Sequence, residues 1–260
     1  MNRTQKVIIA VFFALTVLSY FLTTNFGIDD SVLIFKFGLR LTMLSAAAVL
    51  LKKRREHLFI TLAFIFSVIS DYYFVLANTF DVEPANRQLF GIVGFIMAYP
   101  ALIMAFSRGT KVRRIDLAAA APFVLTFAVV LWFLLPYATG VLFIPALVLG
   151  VILCIYGWTS IAALYRGIYS PWSARFIAIA GILIFISDMV VAFDLFYPVT
   201  DWFVRWKEWF IWITYVPGWT LYLAVMADDR LLVKEGVETE PLPEKQTPVA
   251  PAMLSGARHH

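Results

Sequence analysis

The chain has 260 residues, of which 62% are hydrophobic and 15% charged, with a mean hydropathy of +0.83. A soluble domain of this length needs more polar surface to cover itself, so the composition excludes water as the main solvent. The formal charge of +4 is no nucleic-acid signal, because the basic residues sit in short clusters between apolar runs. The single cysteine, Cys154, lies inside an apolar run, which excludes an internal disulfide and any CxxC metal motif. No cofactor motif is present.

Crossing the hydrocarbon takes roughly 20 apolar residues in a helix, and eight stretches of about that length follow in chain order: Val7–Thr24, Val32–Leu51, Leu58–Leu76, Leu89–Phe106, Leu117–Leu135, Val141–Leu164, Phe176–Phe196 and Phe210–Met226. Charge and turn residues separate them, as in Lys52-Lys53-Arg54-Arg55-Glu56 and Asp81-Val82-Glu83-Pro84. The break at Pro136–Gly140 is short and nearly uncharged, and predicts a tight hairpin. Arg3 and Lys6 before the first run resemble a signal-peptide start, but the run is long and no small-x-small cleavage site follows before Asp29, so a retained helix is expected. With the amino terminus inside, cytoplasmic segments carry fourteen Lys and Arg and the opposite side three, namely Arg87, Arg205 and Lys207. The bias recurs at alternate loops. The expectation is an all-α integral membrane protein with eight transmembrane helices over residues 1–227 and both ends in the cytoplasm.

Residues 228–260 are polar and proline-containing, and read as a disordered cytoplasmic tail ending in His259 and His260, which resemble the remnant of an expression tag. Trp202, Trp206, Trp209 and Trp212 crowd the outer start of the last helix and read as an interfacial aromatic belt. His57, beside a basic loop, reads as a solvated interfacial residue, and no metal site is expected. The compact loops point to a bacterial inner membrane.

Ile-Ser-Asp occurs in the third and seventh helices, ending at Asp71 and Asp188, 117 positions apart. At the same offset Pro100 matches Pro217, near Tyr99 and Tyr215. Two four-helix units in a parallel repeat account for this, as does a chance match.

Charges far from helix ends are expensive in a bilayer and mark function. Arg40, Asp71, Asp188 and Asp194 stand out. A rise of about 1.5 Å per residue places Arg40 roughly 13 Å, Asp71 roughly 10 Å and Asp188 roughly 15 Å below the outer ends of their helices. Asp194 is nearer the surface. Ser67, Ser70, Asp71 and Asn78 fall within about 100° on the third helix, and Tyr99, Tyr215 and Ser187 reach similar depths. The pattern describes a polar cavity with two carboxyls, one guanidinium and phenols. Its plain structural role is a buried ion pair of Arg40 with one aspartate, fixing helix register. One arginine cannot satisfy both aspartates, however. A pair with one ionised and one protonated carboxyl serves acid/base catalysis and proton-coupled transport alike, and the residues alone leave both open.

Phe66-Ser67-Val68-Ile69-Ser70-Asp71, Phe90-Gly91 with Phe95 to Tyr99, Gly181 to Asp188, Arg40-Leu41-Thr42-Met43 and Thr214-Tyr215 together resemble the YhhN-type lysoplasmalogenase family of polytopic membrane proteins. The chain departs from the family pattern where Ser70 replaces a glycine, Tyr99 a histidine, and Pro217-Gly218-Trp219 a segment that usually offers a glutamine. The resemblance implies hydrolysis of the vinyl ether of a lysoplasmalogen, a single-chain lysophospholipid taken from the membrane, without cofactor. It implies that Asp71 and Asp188 are catalytic, with Arg40 holding the phosphate or tuning the pair. Ser67, Ser70, Asn78, Tyr99, Ser187, Asp194 and Tyr215 would line the substrate site. The three departures also admit a non-catalytic lipid-binding relative.

Overall fold

A computed structural model describes residues 1–27, 29–77, 84–108, 114–198 and 201–233, without the side chains of residues 84–85 and 201–205. Its helices are α1 (Arg3–Phe26), α2 (Asp30–Val49), α3 (Arg55–Asp71), α4 (Pro84–Phe106), α5 (Arg114–Leu134), α6 (Phe143–Arg166), α7 (Pro171–Phe196) and α8 (Asp201–Met226), and a π-helical turn, Tyr72–Leu76, extends α3. All eight are long and apolar enough to cross a membrane. The protein is a multi-pass membrane protein. The tight hairpin forms between Leu134 and Phe143, where Gly140 takes the left-handed φ of 80° that a side chain would strain.

Lipid supplies no hydrophobic drive for one apolar helix to join another, so close backbone approach and interhelical hydrogen bonds hold the bundle. α3 lies against α4 at Gly94, where a Cβ would come within 3.0 Å of the Ser70 backbone. Likewise α7 lies against α8 at Gly218, whose Cβ would meet Ile184 at 2.6 Å. The most buried span is that of α8, packed against α7, α1 and α2. α5 is peripheral, with Leu117, Leu125, Val129 and Trp132 exposed where lipid would lie. Pro100, Pro122 and Pro217 sit inside helices, each removing one backbone hydrogen bond from its ladder.

Polar contacts gather the ends on one side. Asn2 caps α1 in a capping box with Gln5, and both reach α8, through Asn2 Nδ2 to the Ala227 carbonyl (2.7 Å) and Gln5 Nε2 to that of Ala224 (3.0 Å). The start of α1 and the end of α8 therefore lie at the same end of the bundle. Past α8, Leu232 bridges Tyr169, and Ser170 N–H donates to the Leu231 carbonyl. Asp228 accepts from both Ser170 and Ser173 at the start of α7. Packed structure thus continues past residue 227, where the transmembrane domain was expected to end, as far as Val233 among the described residues. Leu231 and Leu232 are buried, because a short bridge satisfies backbone groups that a free tail would leave to water. Residues 234–260, with His259 and His260, lie outside the described residues.

Two expectations fail on packing. His57 is buried, with Nδ1 3.1 Å from the Leu50 carbonyl, where the sequence suggested a solvated residue. Within the tryptophan cluster, Trp212 is buried against Lys36, because that face of α8 turns inward; the side chain of Trp202 lies outside the described residues. Removing the carboxylate that receives two hydroxyls leaves both orphaned, so Asp228→Ala should lower unfolding stability by about 1–3 kcal/mol, read as a lower thermal midpoint in detergent.

Candidate functional site

Side chains from α2, α3, α7 and α8 create the site. On α2, Arg40 is fully buried and every guanidinium nitrogen is engaged. Nε donates to Asp71 Oδ2 (2.6 Å), Nη2 to Ser67 Oγ (2.8 Å) and at 3.4 Å to the Tyr215 hydroxyl, and Nη1 to Met43 Sδ (3.2 Å). Its Cζ lies 4.7 Å from the ring centres of both Tyr215 and Trp219. The indole N–H of Trp219 is buried without a hydrogen-bond partner among the described residues, so that ring serves Arg40 through its face. Tyr215 donates to both oxygens of Asp71 (2.9 and 3.1 Å). Asp71 thus meets a cation from α2 and a phenol from α8.

Asp188, on α7, has a different environment. The Tyr99 hydroxyl of α4 donates to its Oδ2, and no cation pairs with it among the described residues. The phenols are crossed between the halves. Tyr99 of the first half serves the aspartate of the second, and Tyr215 of the second serves the aspartate of the first. Behind Tyr99, Tyr156 stacks at 5.1 Å and shares a 2.5 Å hydrogen bond with Tyr222.

Both carboxyls line one cavity of about 110 Å³ with Leu33, Phe74, Val75, Phe95, Ser187, Asp194, Glu208, Trp212 and Tyr215. The π turn follows Asp71 directly and contributes Phe74 and Val75 to that wall; such turns recur at functional sites. Toward the outer end two ion pairs border the cavity. Lys36, fully buried, meets Glu208 at 3.2 Å and stands 5.0 Å over Trp212. Lys207, the residue before Glu208, donates to Asp194. On the far side of Asp188 lies a second, almost wholly apolar cleft of about 70 Å³ between α4, α5, α6 and α7. The two spaces share Phe74, Phe95, Asp188 and Val191.

Of the residues expected at the cavity, Asp71, Asp188, Ser187, Asp194 and Tyr215 line it. Arg40, Ser67 and Tyr99 stand behind the carboxyls as supports. Arg40 is therefore not placed to grip a phosphate in the cavity, since it does not line it and each of its nitrogens is engaged with Asp71, Ser67, Met43 or Tyr215. Ser70 departs further: its hydroxyl donates to the Gly91 carbonyl (2.5 Å) between α3 and α4, so the stripe drawn on α3 is split between two neighbours. Asn78 lies outside the described residues. Sequence reasoning missed Lys36 and Glu208. Lys36 stands four residues before Arg40 and so on the same helix face, a spacing that marks it as inward.

The three positions where this chain departs from the pattern it resembles are all structural neighbours here, with Ser70 locking α3 to α4, Tyr99 holding Asp188 and Trp219 flooring Arg40. Breaking a buried pair strands the surviving charge at a cost of about 3–5 kcal/mol. Arg40→Met should accordingly destabilise strongly, and Arg40→Met with Asp71→Asn should recover much of that loss. A double-mutant cycle on thermal midpoints in detergent measures this coupling.

In comparison with known proteins, the family model described as "YhhN family" matches residues 31–224, a span that takes in every site residue described above. No curated protein and no solved structure matches the chain.

Proposed function

Given that the chain belongs to the YhhN family, we propose that it is a membrane-embedded hydrolase that cleaves the vinyl ether of a lysoplasmalogen by aspartate acid/base catalysis. The observation that carries this reading is that Asp71 and Asp188 line one cavity, from α3 and α7, in unlike surroundings. Asp71, paired with Arg40, is the ionised member. Asp188, which meets a phenol and no cation, is the acid.

In this mechanism Asp188 donates a proton to the enol-ether carbon one bond beyond the ether-bearing carbon. The positive charge that develops along the C–O bond faces the Asp71 carboxylate. Water adds to the oxocarbenium carbon and gives its proton to Asp71. The hemiacetal then collapses: its C–O bond to glycerol breaks, the departing oxygen takes the proton from Asp71, and the hemiacetal hydroxyl returns one to Asp188. The products are a fatty aldehyde and a glycerophospho-headgroup, and both carboxyls are reset. Arg40 acts through Asp71 as a positioning residue, and Tyr99 acts likewise through Asp188.

Purified full-length protein in detergent should release aldehyde from lysoplasmalogen. Asp71→Asn and Asp188→Asn should each lower kcat by about 10²–10⁴-fold, the range general acid–base groups supply. Tyr99→Phe, which removes one hydrogen bond, should cost about tenfold or less. Folded wild-type protein that releases no aldehyde ends the hydrolase reading. If it instead moves a solute in proteoliposomes under a pH gradient, the same carboxyl pair serves proton-coupled transport.

A further inference from the structure

Asp188 stands where two spaces of opposite character meet. On one side are Asp71, Asp194, Glu208, Ser187, Trp212 and Tyr215, which carry charge and hydrogen-bonding groups. On the other, the walls are Phe127, Leu131, Leu134, Leu147, Gly150, Ala192 and their neighbours, and Asp188 is the one charged residue among them. This cleft follows the outer half of α7 from Asp188 to Phe196 and that of α6 from Leu153 to Phe143, ending beside Ala138 of the α5–α6 hairpin. Its cross-section depends on the absence of a side chain at Gly150, where a Cβ would lie 2.1 Å from the Phe127 ring.

From these features, and resting on the hydrolase reading for the identity of the lipid, we propose that the apolar cleft between α5, α6 and α7 is the binding site for the hydrocarbon chain of a single-chain ether lysophospholipid. The chain's first carbons lie at Asp188 and its polar end lies in the carboxylate-lined cavity. The occupant follows from continuity. A water-filled path to a charged group would not be walled by phenyl, leucyl and valyl side chains. A two-chain lipid would need a second apolar arm free of charge, and the space beyond Asp188 on the other side carries the carboxyls of Asp71, Asp194 and Glu208. An extended chain advances about 1.2 Å per bond, and the cleft runs roughly 12–15 Å along α6 and α7 at about 1.5 Å per residue. In length alone, the cleft therefore matches roughly ten to twelve carbons of an extended chain between Asp188 and the hairpin.

The test uses a saturated 1-O-alkyl lysophospholipid, which lacks the vinyl ether and cannot be cleaved by protonation, with a photoactivatable diazirine at the tenth carbon. Irradiated with full-length protein in detergent and mapped by mass spectrometry, it should label peptides carrying Leu134, Ala138 or Phe143, and unlabelled alkyl lysolipid should compete. Moving the diazirine to the third carbon should shift labelling toward Asp188 and Met189. Ala192→Phe, which fills the cleft from α7, should reduce hairpin labelling at least fivefold. Phe127→Ala, which widens it, should retain that labelling, so a folding defect in one variant does not decide the matter. Labelling confined to lipid-facing α5 positions such as Leu125 and Val129, or indifferent to competitor, overturns the proposal. Because the probe is not a substrate, the outcomes separate. Hairpin labelling without aldehyde release from the vinyl ether lipid keeps the chain site and ends the hydrolase reading. Aldehyde release without hairpin labelling does the reverse.

Discussion

A guanidinium in the interior of a membrane is stable only when its charge is met and its donors are filled, and in this bundle one arginine meets that demand with residues from three helices. Arg40 on α2 takes Asp71 and Ser67 from α3 and the faces of Tyr215 and Trp219 from α8. Because the guanidinium is planar and its donors point in fixed directions, these contacts set both the rotation and the depth of the three helices relative to one another. Tyr215 then closes the arrangement by donating back to Asp71. The position of the Asp71 carboxyl is thus a by-product of satisfying a cation.

The second carboxyl is held by a weaker and more local device. Tyr99 approaches Asp188 from α4, and α4 is kept near α3 by the bare face at Gly94 and the Ser70 hydroxyl on the Gly91 carbonyl. The two aspartates belong to matching sequence motifs, yet their partners are not matched. One motif meets a cation and the other, among the described residues, does not, which gives two chemically different carboxyls. That asymmetry is what general acid/base chemistry draws on. The crossed phenols tie each half to the other, so neither half could build its share of the site alone.

The two ends of the bundle differ in how they are held. On the side of the termini, Asn2, Gln5, Ser170, Ser173 and the segment from Ala227 to Val233 form a connected set of capping and bridging hydrogen bonds. On the other side, the helices around the cavity are joined by side-chain ion pairs, Lys36 with Glu208 and Lys207 with Asp194. Ion pairs occur at the first end as well, Lys52 with Asp229, Arg108 with Glu56 and Arg166 with Asp116, so the bridging hydrogen bonds there are an addition to them.

Much of this was legible in the residues themselves. The run lengths and the lysine and arginine bias determined eight spans and a common side for both termini, because a bilayer's thickness and the cost of moving cations across it act on local sequence. The expense of intramembrane charge likewise singled out Arg40, Asp71 and Asp188. What the sequence left undecided was how each helix is turned. A span that is apolar all round carries no stripe to say which face meets a neighbour, so Ser70 read as a cavity residue although it faces α4, and Lys36 passed unnoticed although it faces Glu208. Only the packed bundle settles such rotations, since they depend on small residues and hydrogen bonds contributed by helices far apart in the chain. For the same reason it was tertiary structure that gave Asp71 a cation, left Asp188 with a phenol, and set an apolar cleft against it.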